Sequence, residues 1–461
     1  MNLSISEISG IPALNAAYTG DAAALNKEFN RVTIDSRQVQ EGDLFFAIRG
    51  DRFDAHQFIE DVFAKGALAV VVDKVWFASQ PIRTGNFLVV DDTLTALQET
   101  GHYYRTKFDI PYIAITGSNG KTTTKEMVVR VLSHQFEVLS SRGNLNNHIG
   151  VPLTLFGLHS DHTIAVIEMG CNHFKEIERL AQIADPQYGL ITNIGPAHIE
   201  YFGSLDGVAQ VKTELWQYLG KRRGTAFVNN DDPYLSRMHP EAGTVVTYGF
   251  ENPADIRGRL TRIDDNGCPA FSVMGLEIEL QIAGEHNIYN AMAALAIGLE
   301  FGMEIQDIAD ALRGFSPASK RMEIIRPGDI TILNDCYNSN FISAEKSLKT
   351  LAQIKTGGRR IGILSDMLEL GNQSEYYHRK IGTVAADVDV DALYTYGTHS
   401  AYTHDEAKKH GVKNARHFDT KREMIEALQN YIKKNDVILI KGSRGMAMEE
   451  VTEALVRTFE R

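Results

Sequence analysis

The sequence predicts an α/β protein of three domains: a small mixed α/β N-terminal domain over residues 1–109, a central P-loop-type parallel-sheet domain over 110–318, and a Rossmann-like C-terminal domain over 319–461. Three observations carry that expectation. At 461 residues the chain exceeds what one hydrophobic core supports. From residue 110 onward, short apolar runs alternate with helical patterns, the signature of parallel sheets. Finally, Tyr112-Ile-Ala-Ile-Thr-Gly-Ser-Asn-Gly-Lys-Thr-Thr-Thr-Lys-Glu-Met reads as an apolar strand, a glycine-bearing loop and a helix start, in that order.

Composition excludes several classes. With 43% hydrophobic residues the chain can fill its cores, and a formal charge of −12 argues against binding nucleic acid or an anionic membrane, which needs a basic surface. Lys221-Arg222-Arg223 reads as a solvated face. Cys171, Cys268 and Cys336 are too few and too scattered for a disulfide framework and lack zinc-ligand spacing, so a reducing cytoplasm fits. No basic region precedes an apolar run at the N-terminus, and the longest apolar stretches, such as Ala67 to Val72, are too short to span a bilayer. A soluble, unprocessed protein without membrane insertion is expected.

In the first domain, Val32 to Arg37, Leu44 to Ile48 and Leu68 to Val72 read as strands, with a helix around His56 to Lys65. Two polar loops punctuate them: Asp35-Ser36-Arg37, and Gly50-Asp51-Arg52-Phe53-Asp54-Ala55-His56. Such loops can hold a polar ligand; ordinary turn chemistry explains each taken alone.

In the central domain the loop from Gly117 to Thr122 can cradle a triphosphate with backbone N–H groups and the positive end of the following helix. Lys121 would reach the terminal oxygens and the Thr122 hydroxyl would meet Mg²⁺. The general pattern asks for Gly where Ile115 stands, so the loop is a shortened Gly-x-x-Gly-Lys-Thr form. Strands follow at Thr163 to Met169 and Tyr188 to Ile194, with a helix at Phe174 to Ile183 between them. Ligands in such sheets bind beyond the carboxyl ends of the strands. Lys121, Glu168 and His198 all fall at those ends.

The next helix, Asp206 to Leu219, has Val208, Val211, Leu215, Trp216 and Leu219 on its apolar face with Lys212 among them. A lysine there must snorkel, pair or be chemically altered. Snorkelling is the simplest account; a carbamate formed with CO₂ would suit a hard metal ion. Strand patterns recur at Thr244 to Tyr248 and Leu276 to Ile282, before a helix from Asn287 to Phe301. Asn287 reads as its cap, with a nucleotide contact as the alternative. In the third domain Ile330 to Asn334, Arg359 to Leu364, Ala392 to Tyr396 and Val437 to Lys441 read as strands, and the loops at Asp335, Asp366 and Lys441 follow three of them. No Gly-x-Gly-x-x-Gly follows the first, which counts against dinucleotide binding.

Taken as an ordered set, these motifs resemble the Mur ligase family over nearly the whole length. The set comprises Asp35-Ser-Arg, Gly50 to His56, Thr116 to Thr123, Gly143-Asn-Leu-Asn-Asn-His-Ile-Gly-Val-Pro-Leu-Thr, Glu168-Met-Gly, Ala197-His-Ile-Glu, Val211-Lys-Thr-Glu, Gly284-Glu-His-Asn-Ile-Tyr-Asn-Ala, Ser319-Lys-Arg-Met-Glu, and the Asp335, Asp366 and Lys441 loops. An Asp-Asn-Pro-Arg motif expected of the diamino-acid-adding sibling is absent, and the last loops look like the dipeptide-adding member.

The resemblance implies an ATP-dependent, acyl-phosphate-forming amide ligase of the cytoplasm, expected to be a monomer, with UDP-N-acetylmuramoyl-tripeptide and D-alanyl-D-alanine as partners. It implies an ATP site at Gly117, Ser118, Asn119, Gly120, Lys121, Thr122, Thr123, Asn287, Arg321 and Asp335. Substrate contacts are implied at Ser36, Arg37, Asp54, His56, Asn144 and Asn147. Two Mg²⁺ ions are implied, held by Thr122, Glu168, His198 and a CO₂-derived carbamate on Lys212. One departure is Phe341, where the family usually has Pro. Rival readings are a folylpolyglutamate synthase, a P-loop kinase or switch ATPase, and a catalytically dead binding protein.

Overall fold

The computed structural model describes residues 1–50, 53–80, 84–240, 242–317 and 320–460. Asp51 and Arg52 of the first domain's polar loop, and Ser319 at the opening of the third domain, lie outside the described residues. The chain divides into two compact units: Met1–Ala114 with Phe136–Cys171 and Lys175–Tyr188, and Ile115–Gln135 with Asn172–Phe174 and Gly189–Arg461.

In the first unit a five-stranded sheet runs in the order Ala17–Thr19, Phe87–Val90, Ala69–Asp73, Leu44–Phe46, Val32–Thr33. The first strand is antiparallel and the others are parallel. Phe45, Val62, Val70 and Val72 are buried in one core. The expected strand at Val32 stops after Thr33, because the Asp35 carboxylate takes the Arg37 backbone N–H at 3.0 Å and turns the chain. The expected His56 to Lys65 helix is a 3-10 turn, Ala55–Phe58, running into an α-helix, Ile59–Ala64. Also in this unit, Ile164–Glu168 pairs in parallel with Val138–Ser140.

In the second unit, the strand order is Leu276–Glu279, Pro269–Val273, Ile256–Ile263, Thr244–Gly249, Thr225–Asn229, Tyr188–Ile191 and then Tyr112–Thr116, whose last two residues belong here. Pairing is parallel from Thr225–Asn229 to Ile256–Ile263 and antiparallel beyond it. A six-stranded sheet follows, in the order Glu323–Ile325, Thr331–Asp335, Val437–Lys441, Arg360–Ser365, Ala392–Tyr396, Asn414–Phe418. Only its first strand is antiparallel. Ile332, Ile361, Ile363, Ile438 and Ile440 are fully buried, the near-continuous apolar runs of a sheet covered on both faces. Asp335 and Lys441 are register partners at the carboxyl ends of adjacent strands.

Candidate active site

The phosphate loop joins the buried strand Tyr112–Thr116 to the helix Lys121–Leu132. Two glycines make the turn possible. Gly117 has φ +141° and a Cβ there would lie 2.0 Å from Thr192 Oγ1; Gly120 has φ +79° and a Cβ there would lie 2.7 Å from Asn290 Oδ1. The loop is braced by the segment after Tyr188–Ile191. Ser118 N donates to Asn193 O (3.0 Å), Asn119 N to Asn193 Oδ1 (3.0 Å), and Thr192 Oγ1 and Asn193 Nδ2 both donate to Asn119 O (2.6 and 2.9 Å). Ser118 Oγ bridges Gly195 N and Gly195 O at 2.9 Å each. Ser118 and Asn119 N–H are committed to Asn193, and the first turn of the helix that starts at Lys121 brings N–H groups with no intrahelical acceptor to the end of the loop. Lys121 Nζ donates to Gly117 O (2.7 Å) and Ser118 O (3.3 Å), so the ammonium is folded over its own loop. Thr122 and Thr123 are buried at the helix start.

Asn287 is not a helix cap. The cap position is His286, and Asn287, 2% exposed, donates from Nδ2 to Ala283 O (2.8 Å) while its Oδ1 accepts from Asn290 Nδ2 (2.9 Å). Asn290 Oδ1 in turn accepts from Thr124 Oγ1 (3.0 Å). A buried relay thus ties Asn287 to the phosphate-loop helix. The loop also meets the third sheet's first helix, Phe341–Gln353: its cap Asn340 donates from Nδ2 to Asn119 Oδ1 at 2.7 Å. Phe341 therefore follows directly on a phosphate-loop contact, and its ring packs on Tyr377.

Arg321 and Asp335 are brought together by one loop. Asp335 Oδ1 accepts from Met322 N (3.2 Å), and its Oδ2 accepts from Ser347 Oγ (2.7 Å) and from the buried Lys441 Nζ (2.5 Å). The Arg321 guanidinium lies 3.9 Å from the centre of the Tyr337 ring. Nearby, His286 is pushed down to about 3, first by burial and then by the Lys346 and Lys441 ammonium groups.

His198 stands in the left-handed region (φ 54°), just before the helix Ile199–Phe202. Its buried Nδ1 lies 2.6 Å from Glu369 Oε2, close but outside hydrogen-bond geometry. The imidazole holds the Glu369 carboxyl below its ordinary range, against the opposing effect of burial. Lys212 is 1% exposed on the helix Leu205–Arg222, among the fully buried Val208, Val211 and Leu215.

In the first unit, Glu168 closes its strand at 2% exposure, with Oε1 accepting from Asn146 Nδ2 (2.8 Å) and its N–H donating to Ser141 Oγ (3.1 Å). Asn147 Oδ1 accepts from the N–H groups of Ile149 and Gly150, and Asn144 is exposed. The N-terminal candidates form two sets. Arg37 pairs with Asp35 (Nη2 to Oδ2, 2.8 Å), which lowers the Asp35 carboxyl to about 2, and Ser36 O accepts from Lys65 Nζ (2.7 Å). Separately, Asp54 meets His56 Nδ1 (2.6 Å) and Arg49 Nε (2.9 Å), while His56 Nε2 accepts from Asp73 N at 3.2 Å.

Among the described residues no group of three or more His, Cys, Asp or Glu is placed to hold a metal ion. The set implied at sequence level has two residues of those types, with Thr122 and Lys212 supplying the rest. The sequence reading missed Thr192, Asn193, Asn290, Asn340 and Glu369. Thr192 and Asn193 were within reach, since they follow a parallel strand at its carboxyl end, where loop-bracing and ligand-binding residues gather.

Three family profiles match along the chain: "Mur ligase family, catalytic domain" over residues 28–99, "Mur ligase middle domain" over 115–298, and "Mur ligase, glutamate ligase domain" over 320–444. With the phosphate loop and the two parallel sheets, they define the class as a three-domain, ATP-dependent ligase. The chain is 36% identical over 431 residues to the UDP-N-acetylmuramoyl-tripeptide–D-alanyl-D-alanine ligase of Bacillus subtilis, covering 93% of each chain. It is 35% identical to the same-named ligase of Haemophilus influenzae, covering 98% of each. Its fold matches MurF from Acinetobacter baumannii with a TM-score of 0.88 at 29% identity, again covering 98% of each. The chain belongs to the Mur ligase family.

Proposed function

We propose that this chain joins D-alanyl-D-alanine to UDP-N-acetylmuramoyl-tripeptide, using ATP and releasing ADP and phosphate. The observation that carries the reading is the full-length likeness to ligases of that name, 36% identical across 93% of both chains, with the shortened phosphate loop intact. The tripeptide's terminal carboxylate attacks the γ-phosphate, ADP leaves, and an acyl phosphate forms. The dipeptide amine then adds to that carbonyl, and the tetrahedral intermediate expels phosphate to leave the amide.

The residues have distinct tasks in this scheme. Lys121 swings from Gly117 O and Ser118 O to the γ-phosphate oxygens, where its charge and the N–H groups of residues 121–123 oppose the charge that builds up in transfer. Asn287, Arg321 and Asp335 are proposed to hold the nucleotide; Arg321 already stacks on Tyr337, leaving a flat cationic face suited to a base or a phosphate. Ser36, Arg37, Asp54, His56, Asn144 and Asn147 are proposed for the uridine-linked substrate. We assign three domains with boundaries near 109 and 318, and a monomer in the cytoplasm; among the described residues no helix is long and apolar enough to cross a membrane.

The donor chemistry fits Mg²⁺. Thr122 supplies a hydroxyl at the helix start, His198 an imidazole, and Glu168, in the other unit, a buried carboxylate already steadied by Asn146. Lys212, 1% exposed on the helix Leu205–Arg222, would serve as a ligand once carbamylated, because the carbamate offers oxygen donors to a hard metal ion. When bound, the ions neutralise phosphate charge and polarise the attacked group.

The deciding experiment is a coupled ADP-release assay with the muramoyl tripeptide, run with and without D-alanyl-D-alanine. Sustained release only with the dipeptide is expected; release without it, or only with glutamate as acceptor, overturns the reading. For Lys212, partial rescue of Lys212→Ala by bicarbonate or short carboxylates is expected, and full activity of the unrescued variant would remove the carbamate from the scheme.

A further inference from the structure

The Asp366-Met-Leu-Glu-Leu-Gly loop is held unusually firmly for a surface turn. The Asp366 carboxylate accepts from Ser400 N (2.7 Å), Ser400 Oγ (2.8 Å) and His399 N (3.2 Å). Met367 N donates to His378 Nε2 (3.0 Å), and Leu368 N to Ser443 Oγ (2.9 Å). The next residue, Glu369, takes the left-handed conformation (φ 62°), rare for a residue with a side chain. Its carbonyl oxygen accepts from Glu200 N at 3.4 Å, and Gly371 lies against the Glu200 side chain. Its carboxylate lies 2.6 Å from Nδ1 of His198, itself left-handed at φ 54°. Two strained residues from distant parts of the sequence, 198 and 369, thus meet through one contact, each backbone set so that its side chain reaches the other.

Stability alone is a poor reason for this arrangement. The pair is partly exposed, at 23% for His198 and 42% for Glu369, where ion pairs contribute little. Orientation is a better one. A carboxylate on one ring nitrogen fixes the tautomer with the proton on Nδ1, leaves the lone pair on Nε2, and stops the ring from turning.

We propose that Glu369 is a positioning residue: its carboxylate, 2.6 Å from His198 Nδ1, keeps the proton on that nitrogen, so that Nε2 is presented as a metal-binding lone pair only when the third sheet's Asp366 loop is docked beside the Ile199–Phe202 helix. The proposal rests on the reading of His198 as a Mg²⁺ ligand. It adds a link between domain docking and metal binding: a ring released by Glu369 can turn or change tautomer, and the ion is then held less well.

The test uses the full-length enzyme with Mn²⁺ as the probe, in the presence of ADP, read by electron paramagnetic resonance, and ring-nitrogen NMR of protein labelled with ¹⁵N-histidine. Glu369→Ala is expected to weaken Mn²⁺ binding about tenfold, the size typical of removing a carboxylate behind a ligating histidine. It should also shift the His198 nitrogen signals away from the Nδ1–H tautomer, while Glu369→Asp restores both in part. Mn²⁺ affinity within twofold of the parent together with unchanged His198 signals overturns the proposal. His198→Asn separates the two ideas. If it leaves Mn²⁺ binding intact, the ligand reading fails by itself, and the tautomer signals of Glu369→Ala then decide whether Glu369 positions the ring.

Discussion

Two lysine- or arginine-carboxylate pairs sit at positions the family resemblance marks for ligands, and they differ in almost every physical respect. Asp35–Arg37 in the first domain joins neighbours in sequence, with the arginine side chain 86% exposed. Asp335–Lys441 in the third joins strand ends 106 residues apart, with the lysine side chain 2% exposed and its charge shared with Asn338 O at 3.1 Å. The first pair can open to an incoming anion at little cost, because water already solvates both partners. The second cannot: with one partner gone, the other is a charge inside protein. A ligand-facing charge can therefore be kept ready in solvent or built into the framework, and the two designs should fail differently on mutation.

The largest effect belongs to the buried pair. Lys441→Met strands the Asp335 carboxylate and should lower stability by about 3–5 kcal/mol in chemical denaturation. Adding Asp335→Asn to it should recover a good part, since a neutral amide needs no cation; a double variant as unstable as the single one would break the comparison. The same buried ammonium acts on His286, pushed down to about 3 by burial and by Lys346 and Lys441. With a folded pKa below the unfolded value of about 6.5, the unfolded chain binds the extra proton as pH falls, so stability drops below pH 6.5 and is retained above it. Between pH 6.5 and 5 this amounts to about 1–2 kcal/mol, discounted because the residue is not fully buried. His286→Gln should flatten that part of the stability profile, and an unchanged slope would show that His286 is already free to protonate.

Arg321 lies between the two designs. Stacked on Tyr337 and half-buried, it should contribute about 0.5–1 kcal/mol of loop stability. Arg321→Ala should therefore raise the KM for ATP by far more than it changes the denaturation midpoint. Equal effects on both would move Arg321 into the framework class with Lys441.

Legibility in the sequence followed the same divide between local and distant contacts. The phosphate loop was readable because strand, glycines, Lys121 and helix lie within one short stretch. The place of Lys212 on an apolar helix face could be read from helical spacing, but snorkelling, the simplest account there, fails because the residue is 1% exposed. Asn287 was misread as a cap because a side chain facing inward, toward Asn290 and Thr124, leaves no mark at a helix start that differs from one facing the backbone. Glu369 was invisible for a stronger reason. Its partner lies 171 positions earlier, both residues adopt a backbone conformation that neither amino acid favours, and nothing periodic links them. The same holds for Asn340 on Asn119, where two ordinary asparagines acquire meaning only once the third sheet's first helix is placed against the loop.

The smallest structural effect should come from Arg37, and it sharpens the comparison most. Its guanidinium holds Asp35 in a two-pronged contact, Nε to Oδ1 at 2.9 Å and Nη2 to Oδ2 at 2.8 Å, yet the side chain is almost entirely in water. Such a pair screens readily with salt and gives up little when broken. Arg37→Ala should thus leave the melting temperature within about 1 °C of the parent, in line with exposed surface substitutions. If Arg37 receives the uridine-linked substrate, the same variant should raise the KM for that substrate markedly at low salt while leaving the KM for ATP unchanged. The difference should shrink as salt rises, because the interaction lost is one between exposed charges. A large drop in melting temperature, or equal changes in both KM values, would place Arg37 in the framework class and erase the distinction between the two pairs.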